Sequence, residues 1–352
     1  LSCTPNVLLK GAAMRLSRTL TAAALAIIVA TLSTPDLRLW APWVLETWLI
    51  SVSTATYGPR AWPALAPEPV RARAVAEVDG PSLCAGRATT ALDLRRPFVI
   101  RGAAPTNNFT KEALTKPPLG DVVVDYFYDA SRRRHLVPDA RAKLSKVVRN
   151  ISRGRPHKIG SQRVVSREGC CPTTEALEAA LARLAPRCSV GDVVGRWRLS
   201  AAALDARLLT VPLFVSGGGG AERPTYTDLH SEPIASMAIQ IEGSKDWTLV
   251  PAADSASLRP AASPDGRAYF YSRLDDGELS RLPRLAVTTW PGDALWVPPW
   301  TWHAVSYAPA AGVSVAASLF HFRPWAFVAA QPYFAAAVLP NLAKEIFGIK
   351  TQ

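Results

Sequence analysis

The chain has 352 residues, five cysteines and a formal net charge of +12. That length suits one large domain with extensions, and the positive balance points toward anionic partners such as RNA, membrane surfaces or acidic proteins. No Cys-x-x-Cys pair is present, which argues against a zinc ribbon, and the charge gathers only at Arg132-Arg133-Arg134 and from Arg149 to Lys158, with no recognised nucleic-acid-binding motif.

Residues 1–36 read as a targeting segment. Counted from Met14, Arg15 and Arg18 precede the apolar run Leu20 to Leu32, which are the basic and apolar regions of a secretory signal peptide. The run is short for a membrane span of about twenty residues. A second apolar stretch, Leu37 to Val52, is interrupted by Arg38, Pro42 and Glu46 and reads as a membrane-surface helix or a tether. A cleaved secretory signal and an uncleaved membrane anchor therefore compete. An organellar transit peptide is third, because Leu1 to Pro35 contains no acidic residue. Residues 37–79, rich in Ala, Pro and Arg, read as a linker carrying that segment.

Phe98 to Arg101 and Val122 to Tyr128 have strand composition. Arg132 to Gly169 is polar and basic and reads as a long loop with a short helix, its charge a solvated surface near Arg153. Thr173 or Thr174 caps an expected helix running to about Leu184, with Leu177, Ala180, Leu181 and Leu184 on one face. Cys84, Cys170, Cys171 and Cys188 form two disulfides in an oxidising compartment or stay as free thiols, and the sequence does not choose among three pairings. Asn108-Phe109-Thr110 and Asn150-Ile151-Ser152 are glycosylation sequons. Leu208 to Val215 is the next strand. Gly217 to Gly220 is a flexible loop, either a substrate lid or a slack surface turn.

His230-Ser231-Glu232 comes next. In an extended strand, positions i and i+2 point to the same side, so His230 and Glu232 aim at one point. Ala235 to Glu242 alternates in strand fashion, with Met237, Ile239 and Ile241 on one parity. Gly243-Ser244 fits a two-residue hairpin turn whose first central position needs positive φ. The return strand opens with Lys245, on the parity of Trp247 and Leu249. If that face is the inner one, the Lys245 ammonium is buried and requires an anion. A bound carboxylate co-substrate is such an anion, and snorkelling from the strand end is the alternative.

Ala252 to Arg284 is a long insertion, of a kind often functional or disordered. The run from Pro291 to His303 then supplies a second imidazole. Two His and one carboxylate on one face of a metal leave coordination positions open, the pattern of non-heme Fe(II) oxygenases. Trp296, Trp300 and Trp302 suit a dry wall around His303, and equally an ordinary core. His135 and His157 are expected to be solvated and His321 structural. After Pro324 the tail reads as helical, broken at Pro332 and Pro340.

These stretches resemble a known family. Arg96 to Ala103, Thr227 to Pro251 and Pro291 to Phe322 are similar to the JmjC/cupin-like Fe(II)- and 2-oxoglutarate-dependent oxygenases, over residues 80–325, with 326–352 as a helical tail beyond. The resemblance implies an all-β core, a double-stranded β-helix of jelly-roll type with flanking helices. It implies His230, Glu232 and His303 as iron ligands. Lys245, fifteen residues after the first ligand, falls where the family pairs a lysine with the far carboxylate of 2-oxoglutarate. Thr227 matches a hydroxyl assisting that carboxylate, although its parity differs from that of His230 and demands a bend or bulge. Ser236 and Ser318 stand where relatives often carry Asn, with less hydrogen-bonding reach. The implied activity is hydroxylation of a protein side chain, with a peptide-like substrate. RNA or lysine modification, and a catalytically silent binding module, are the alternatives, since fold resemblance does not assign a substrate.

Overall fold

The computed structural model describes residues 62–84, 93–103, 109–128, 138–162, 207–210, 212–217, 225–262, 268–307 and 312–338. The strands begin with β1 (Arg73–Ala74), β2 (Ala76–Asp79), β3 (Phe98–Arg101), β4 (Val123–Tyr126), β5 (Ala140–Lys143) and β6 (Lys158–Gln162). The central ones are β7 (Arg207–Thr210), β8 (Leu213–Gly217), β9 (Thr225–Ser231), β10 (Ala235–Glu242) and β11 (Lys245–Val250). β12 (Pro260–Ala262), β13 (Phe270–Ser272), β14 (Leu285–Thr289), β15 (Ala294–Val297), β16 (Trp302–Tyr307) and β17 (Val313–Phe322) follow. Helices are short: α1 (Gly80–Cys84), α2 (Lys111–Leu114), α3 (Leu144–Ser152), α4 (Asp276–Ser280) and α5 (Pro324–Ala330), with a 3-10 stretch at Ala252–Leu258.

Two large sheets carry the fold. One runs β1-β14-β11-β16-β9-β13-β12, the other β2-β3-β15-β10-β17-β8-β6, with β7 also on β17 and β4-β5 as a separate pair. They face each other through one cluster, where Val99, Ala238, Leu295 and Val297 of the second sheet meet Trp247, Leu249, Val287, Val305 and Tyr307 of the first. This is the jelly roll that the resemblance implies. A second cluster lies on the outer face of the second sheet, where Met237, Ile239, Ile241, Val315 and Leu319 pack under Leu144, Val147, Val148 and Ile151 of α3. β10 is thus covered on both faces. Its large residues point to the helical layer, leaving the smaller Ser236, Ala238 and Gln240 for the sandwich interior.

Gly243 has φ +66, as its turn requires, and an added Cβ would lie 2.5 Å from the Val313 carbonyl oxygen. The turn is nevertheless not a hairpin. β10 pairs with β15 and β17, whereas β11 pairs with β14 and β16. Gly243-Ser244 carries the chain across from one sheet to the other, because each edge of β10 is already occupied.

Several expectations change in detail. Of the stretch 37–79, residues 73–79 are not linker: β1 and β2 pair in parallel with β14 and β3. The basic stretch 132–169, where described, contains the expected short helix, α3, and also two strands, β5 and β6, that were not expected. The strand expected over Leu208 to Val215 is divided into β7 and β8, with Pro212, which has no N–H to give a ladder, between them. Where described, the 252–284 insertion forms the 3-10 stretch, β12, β13 and α4. In the tail, α5 stops at Ala330 and residues 332–338 are again helical. The expected 173–184 helix, residues 1–61, Cys170, Cys171, Cys188, His135, Asn108 and Gly218 to Gly220 lie outside the described residues.

Candidate metal centre

β9 and β16 are antiparallel neighbours, and His230 and His303 are direct cross-strand partners. Their rings lie 4.2 Å apart, and the His230 Nε2 stands 3.5 Å from Glu232 Oε1. One donor atom from each of His230, Glu232 and His303 falls within 4.8 Å of the others. Each His Nδ1 sits beside a backbone carbonyl, His230 with Asp228 O at 2.7 Å and His303 with Thr301 O at 3.0 Å. A carbonyl only accepts, so both Nδ1 atoms carry the proton and both Nε2 atoms keep a lone pair. That is the outer-shell arrangement that orients metal-binding imidazoles. The donor set fits a divalent ion such as Fe(II).

Electrostatics agree with this. Burial, then repulsion from His230, pushes the His303 imidazole down to about 4, so it is neutral at physiological pH. Burial raises the Glu232 carboxyl, but the neighbouring His230, then His303, outweighs this and leaves it below the ordinary value.

The register also explains Thr227. His303 pairs with His230, yet Val305 pairs with Thr227, two positions along β16 against three along β9. This β-bulge supplies the parity change that Thr227 demands. It also turns the Asp228 carbonyl toward His230 Nδ1. On the other side, the turn between β15 and β16 clamps the ligand segment: Trp300 N–H donates to Glu232 O at 2.7 Å, and Ser231 Oγ donates to Trp300 O at 2.9 Å. Trp300 reaches this position with φ +62, a left-handed conformation costly for a bulky residue. Its buried ring and its Nε1 bond to Phe327 O hold it there.

Lys245 is 3% exposed and lies on the face shared with Trp247 and Leu249, so it does not snorkel. Its Nζ stands over the rings of Phe214, Tyr307 and Trp247 at 5.1, 5.6 and 5.7 Å. Among the described residues no carboxylate reaches it. Burial, then repulsion from Lys158, lowers its ammonium to about 7. Thr227 accepts a hydrogen bond from Lys158 Nζ at 2.8 Å and is bonded to Tyr307, whose phenol burial holds protonated. Ser236 and Ser318 are buried on the interior-facing parity of β10 and β17. Neither hydroxyl has a partner among the described residues.

Some readings need correction. Trp296, Trp300 and Trp302 are fully buried but do not wall His303. Trp296 packs on Phe98 in the outer cluster, and Trp300 and Trp302 pack on Phe334 beneath the tail. The tryptophan beside His303 is Trp247, 6.3 Å away and fixed by its Nε1 bond to Thr289 Oγ1. His157 stays partly exposed, with its Nδ1 2.8 Å from Tyr128 O. His321 is structural, as expected, with its Nδ1 3.0 Å from Leu319 O and its ring 6.3 Å from that of Trp296. Two features went unread in the sequence. β13 of the insertion pairs with β9, placing Tyr271 opposite His230 and Tyr269 at 6.1 Å from the His230 ring. Lys158, assigned to a solvated loop, is buried.

The sequence profile of the cupin-like domain matches residues 89–324. HSPB1-associated protein 1 from Homo sapiens is 31% identical over 107 residues, covering 28% of this chain and 21% of that protein. The Bos taurus and Rattus norvegicus proteins of the same name are each 30% identical over 107 residues, covering 22% of their length. The chain thus spans about a fifth of the curated relatives it matches.

Proposed function

The chain belongs to the cupin-like domain family, and from that premise we propose that it is an Fe(II)- and 2-oxoglutarate-dependent oxygenase hydroxylating a protein side chain. The observation that carries this reading is the presence in one sandwich of two unfinished arrangements. Three donors on and beside β9 and β16 keep free lone pairs, and the β11 ammonium has no anion among the described residues. A metal ion completes the first, and the distal carboxylate of a 2-oxo acid completes the second.

His230 Nε2, His303 Nε2 and the Glu232 carboxylate would hold the iron. When bound, iron with the 2-oxo acid and dioxygen would supply the oxidising chemistry, one oxygen atom replacing a substrate hydrogen by hydroxyl and the other ending in succinate as the 2-oxo acid loses carbon dioxide. The chain's own residues bind, orient and exclude water. The Asp228 and Thr301 carbonyls fix both imidazoles in the metal-binding tautomer. Lys245 donates to the far carboxylate, Thr227 assists it, and Ser236 and Ser318 offer hydroxyls from the facing sheet. Trp247 and Tyr307 keep this interior dry. A peptide-like substrate would cross the mouth at β13, beside Tyr269 and Tyr271. The name of the curated relatives records association with a protein, which supports a protein partner.

Purified protein given Fe(II) should convert 2-oxoglutarate to succinate, slowly even without substrate. Substrate trapping and mass spectrometry should find partner peptides heavier by about 16, one oxygen. Absence of both metal-dependent succinate and metal-dependent 2-oxoglutarate binding would refute the reading. No helix among the described residues is long and apolar enough to cross a membrane. We propose that the segment from Met14 directs the chain into the secretory pathway or anchors it to a membrane. A fluorescent fusion starting at Met14 should give a reticular or membrane signal, and a diffuse cytosolic one would exclude this.

A further inference from the structure

A second buried ammonium stands beside the first. Lys158 opens β6, next to β8 at the end of the second sheet. Its side chain crosses to the first sheet, where Nζ donates to Tyr226 O at 3.1 Å and Thr227 Oγ1 at 2.8 Å. An ammonium has three donors, so one is left without an acceptor among the described residues. The stem runs over Gly160, where an added Cβ would lie 3.3 Å from Lys158 Cε. Lys158 is 7% and Lys245 3% exposed; no carboxylate of the described residues lies within ion-pair distance of either, although the more distant Asp228 charge partly offsets the burial of Lys158. Two like charges so placed are costly without a shared counter-ion.

We propose that Lys158 is a second cationic anchor for the co-substrate, so that the distal carboxylate of the 2-oxo acid is held between Lys158 and Lys245, one from each sheet. This rests on the oxygenase reading above and extends it to specificity. A carboxylate has two oxygens and about four acceptor positions, enough for both ammoniums and the Thr227 hydroxyl. Lys158 Nζ donates to Thr227 Oγ1, Thr227 is hydrogen-bonded to Tyr307, and Lys245 Nζ stands 5.6 Å from the Tyr307 ring, so the two ammoniums approach one residue pair; burial, then repulsion from Lys158, lowers that of Lys245. A single lysine would favour a dicarboxylic over a monocarboxylic 2-oxo acid. Two make the pocket select strongly against any 2-oxo acid whose far end is neutral.

The test uses the full chain loaded with Mn(II) and titrated with 2-oxoglutarate and with 2-oxopentanoate, which lacks the far carboxylate. Lys158→Met keeps the stem and removes the charge. It should melt no lower than wild type without ligand, weaken 2-oxoglutarate by at least about tenfold, as for a lost charged hydrogen bond, and leave 2-oxopentanoate unchanged. Gly160→Ala displaces the stem while keeping the charge and should weaken 2-oxoglutarate to a smaller degree. It reads the same contact if Lys158→Met folds poorly. Unchanged 2-oxoglutarate affinity in both variants overturns the proposal and leaves the oxygenase reading intact. A lower melting point with equal weakening of both acids overturns it too, since Lys158 would then only tie β6 to β9. Wild type that binds neither acid, with or without metal, overturns the oxygenase reading and this proposal together.

Discussion

The metal face and the lysine pocket lie in one sandwich but are built in opposite ways. At the metal face every group has its supporting partner: each Nδ1 has a carbonyl, and the Glu232 backbone is held by Trp300. At the lysine pocket, Lys245 is surrounded by rings with no anion among the described residues, and Lys158 adds a second charge of the same sign. The first region is organised by completing its outer contacts. The second is organised by leaving a charge unanswered, so that a ligand rather than the protein supplies its balance.

The sharpest way to break this contrast is His230→Ala. Metal affinity should fall by well over about 100-fold, beyond the 10–100-fold range of a lost outer-shell partner, measured by calorimetry with Mn(II). The melting temperature of the metal-free protein should change little, since the ring is partly exposed. Retained metal affinity would show that these donors do not hold the ion. Lys245→Met comes next. Losing a charged hydrogen bond of roughly 1.5–3 kcal/mol should weaken 2-oxoglutarate about 10- to 150-fold, while Mn(II) affinity stays near wild type. Equal 2-oxoglutarate affinity would remove Lys245 from the co-substrate site. Thr227→Val keeps the shape and deletes one hydroxyl, for an expected loss of roughly 0.5–1.5 kcal/mol, about 2- to 12-fold in the same titration. A loss as large as that of Lys245→Met would mean that the bulge, not the hydroxyl, had been damaged.

The two regions were also unequally legible. His230, Glu232 and His303 are visible in sequence because strand parity and the Pro291 to His303 run both point to them. Even the bulge could be inferred from the wrong parity of Thr227. Lys158 was not legible: it follows Arg153, Arg155 and His157, and local charge there reads as solvated surface. Only the pairing of β6 with β8 turns it inward. The Gly243-Ser244 turn was read correctly as a positive-φ position but wrongly as a hairpin. A two-residue turn looks the same whether it joins neighbours in one sheet or passes between two, and the difference is set by β15 and β17 flanking β10. The tryptophans near His303 misled for a related reason. Alternate residues of β15 face opposite layers, so Trp296 turns away from the interior that Leu295 and Val297 face.

The last expected effect concerns stability and pH, and it separates the two regions without any catalysis. In the ligand-free protein burial lowers the Lys245 ammonium to about 7 and the Lys158 ammonium to about 8, against about 10.4 in an unfolded chain. Between these values the unfolded chain binds more protons than the folded one, so stability rises with pH across roughly 7 to 10.4. Below that window both states are protonated and the burial cost is full; above it both are neutral and the cost is gone. Lys245→Met should therefore be more stable than wild type at pH 7, with the gap closing toward pH 10, at no more than about 1.4 kcal/mol per pH unit for one proton. Urea unfolding of both proteins at pH 7, 8.5 and 10 measures this. Saturating 2-oxoglutarate with Mn(II) should flatten the wild-type slope, because an anion in the pocket keeps the ammonium charged in the folded state as well. A gap independent of pH would mean that Lys245 remains an ordinary ammonium in the folded protein, and the unanswered charge that distinguishes this region from the metal face would not exist.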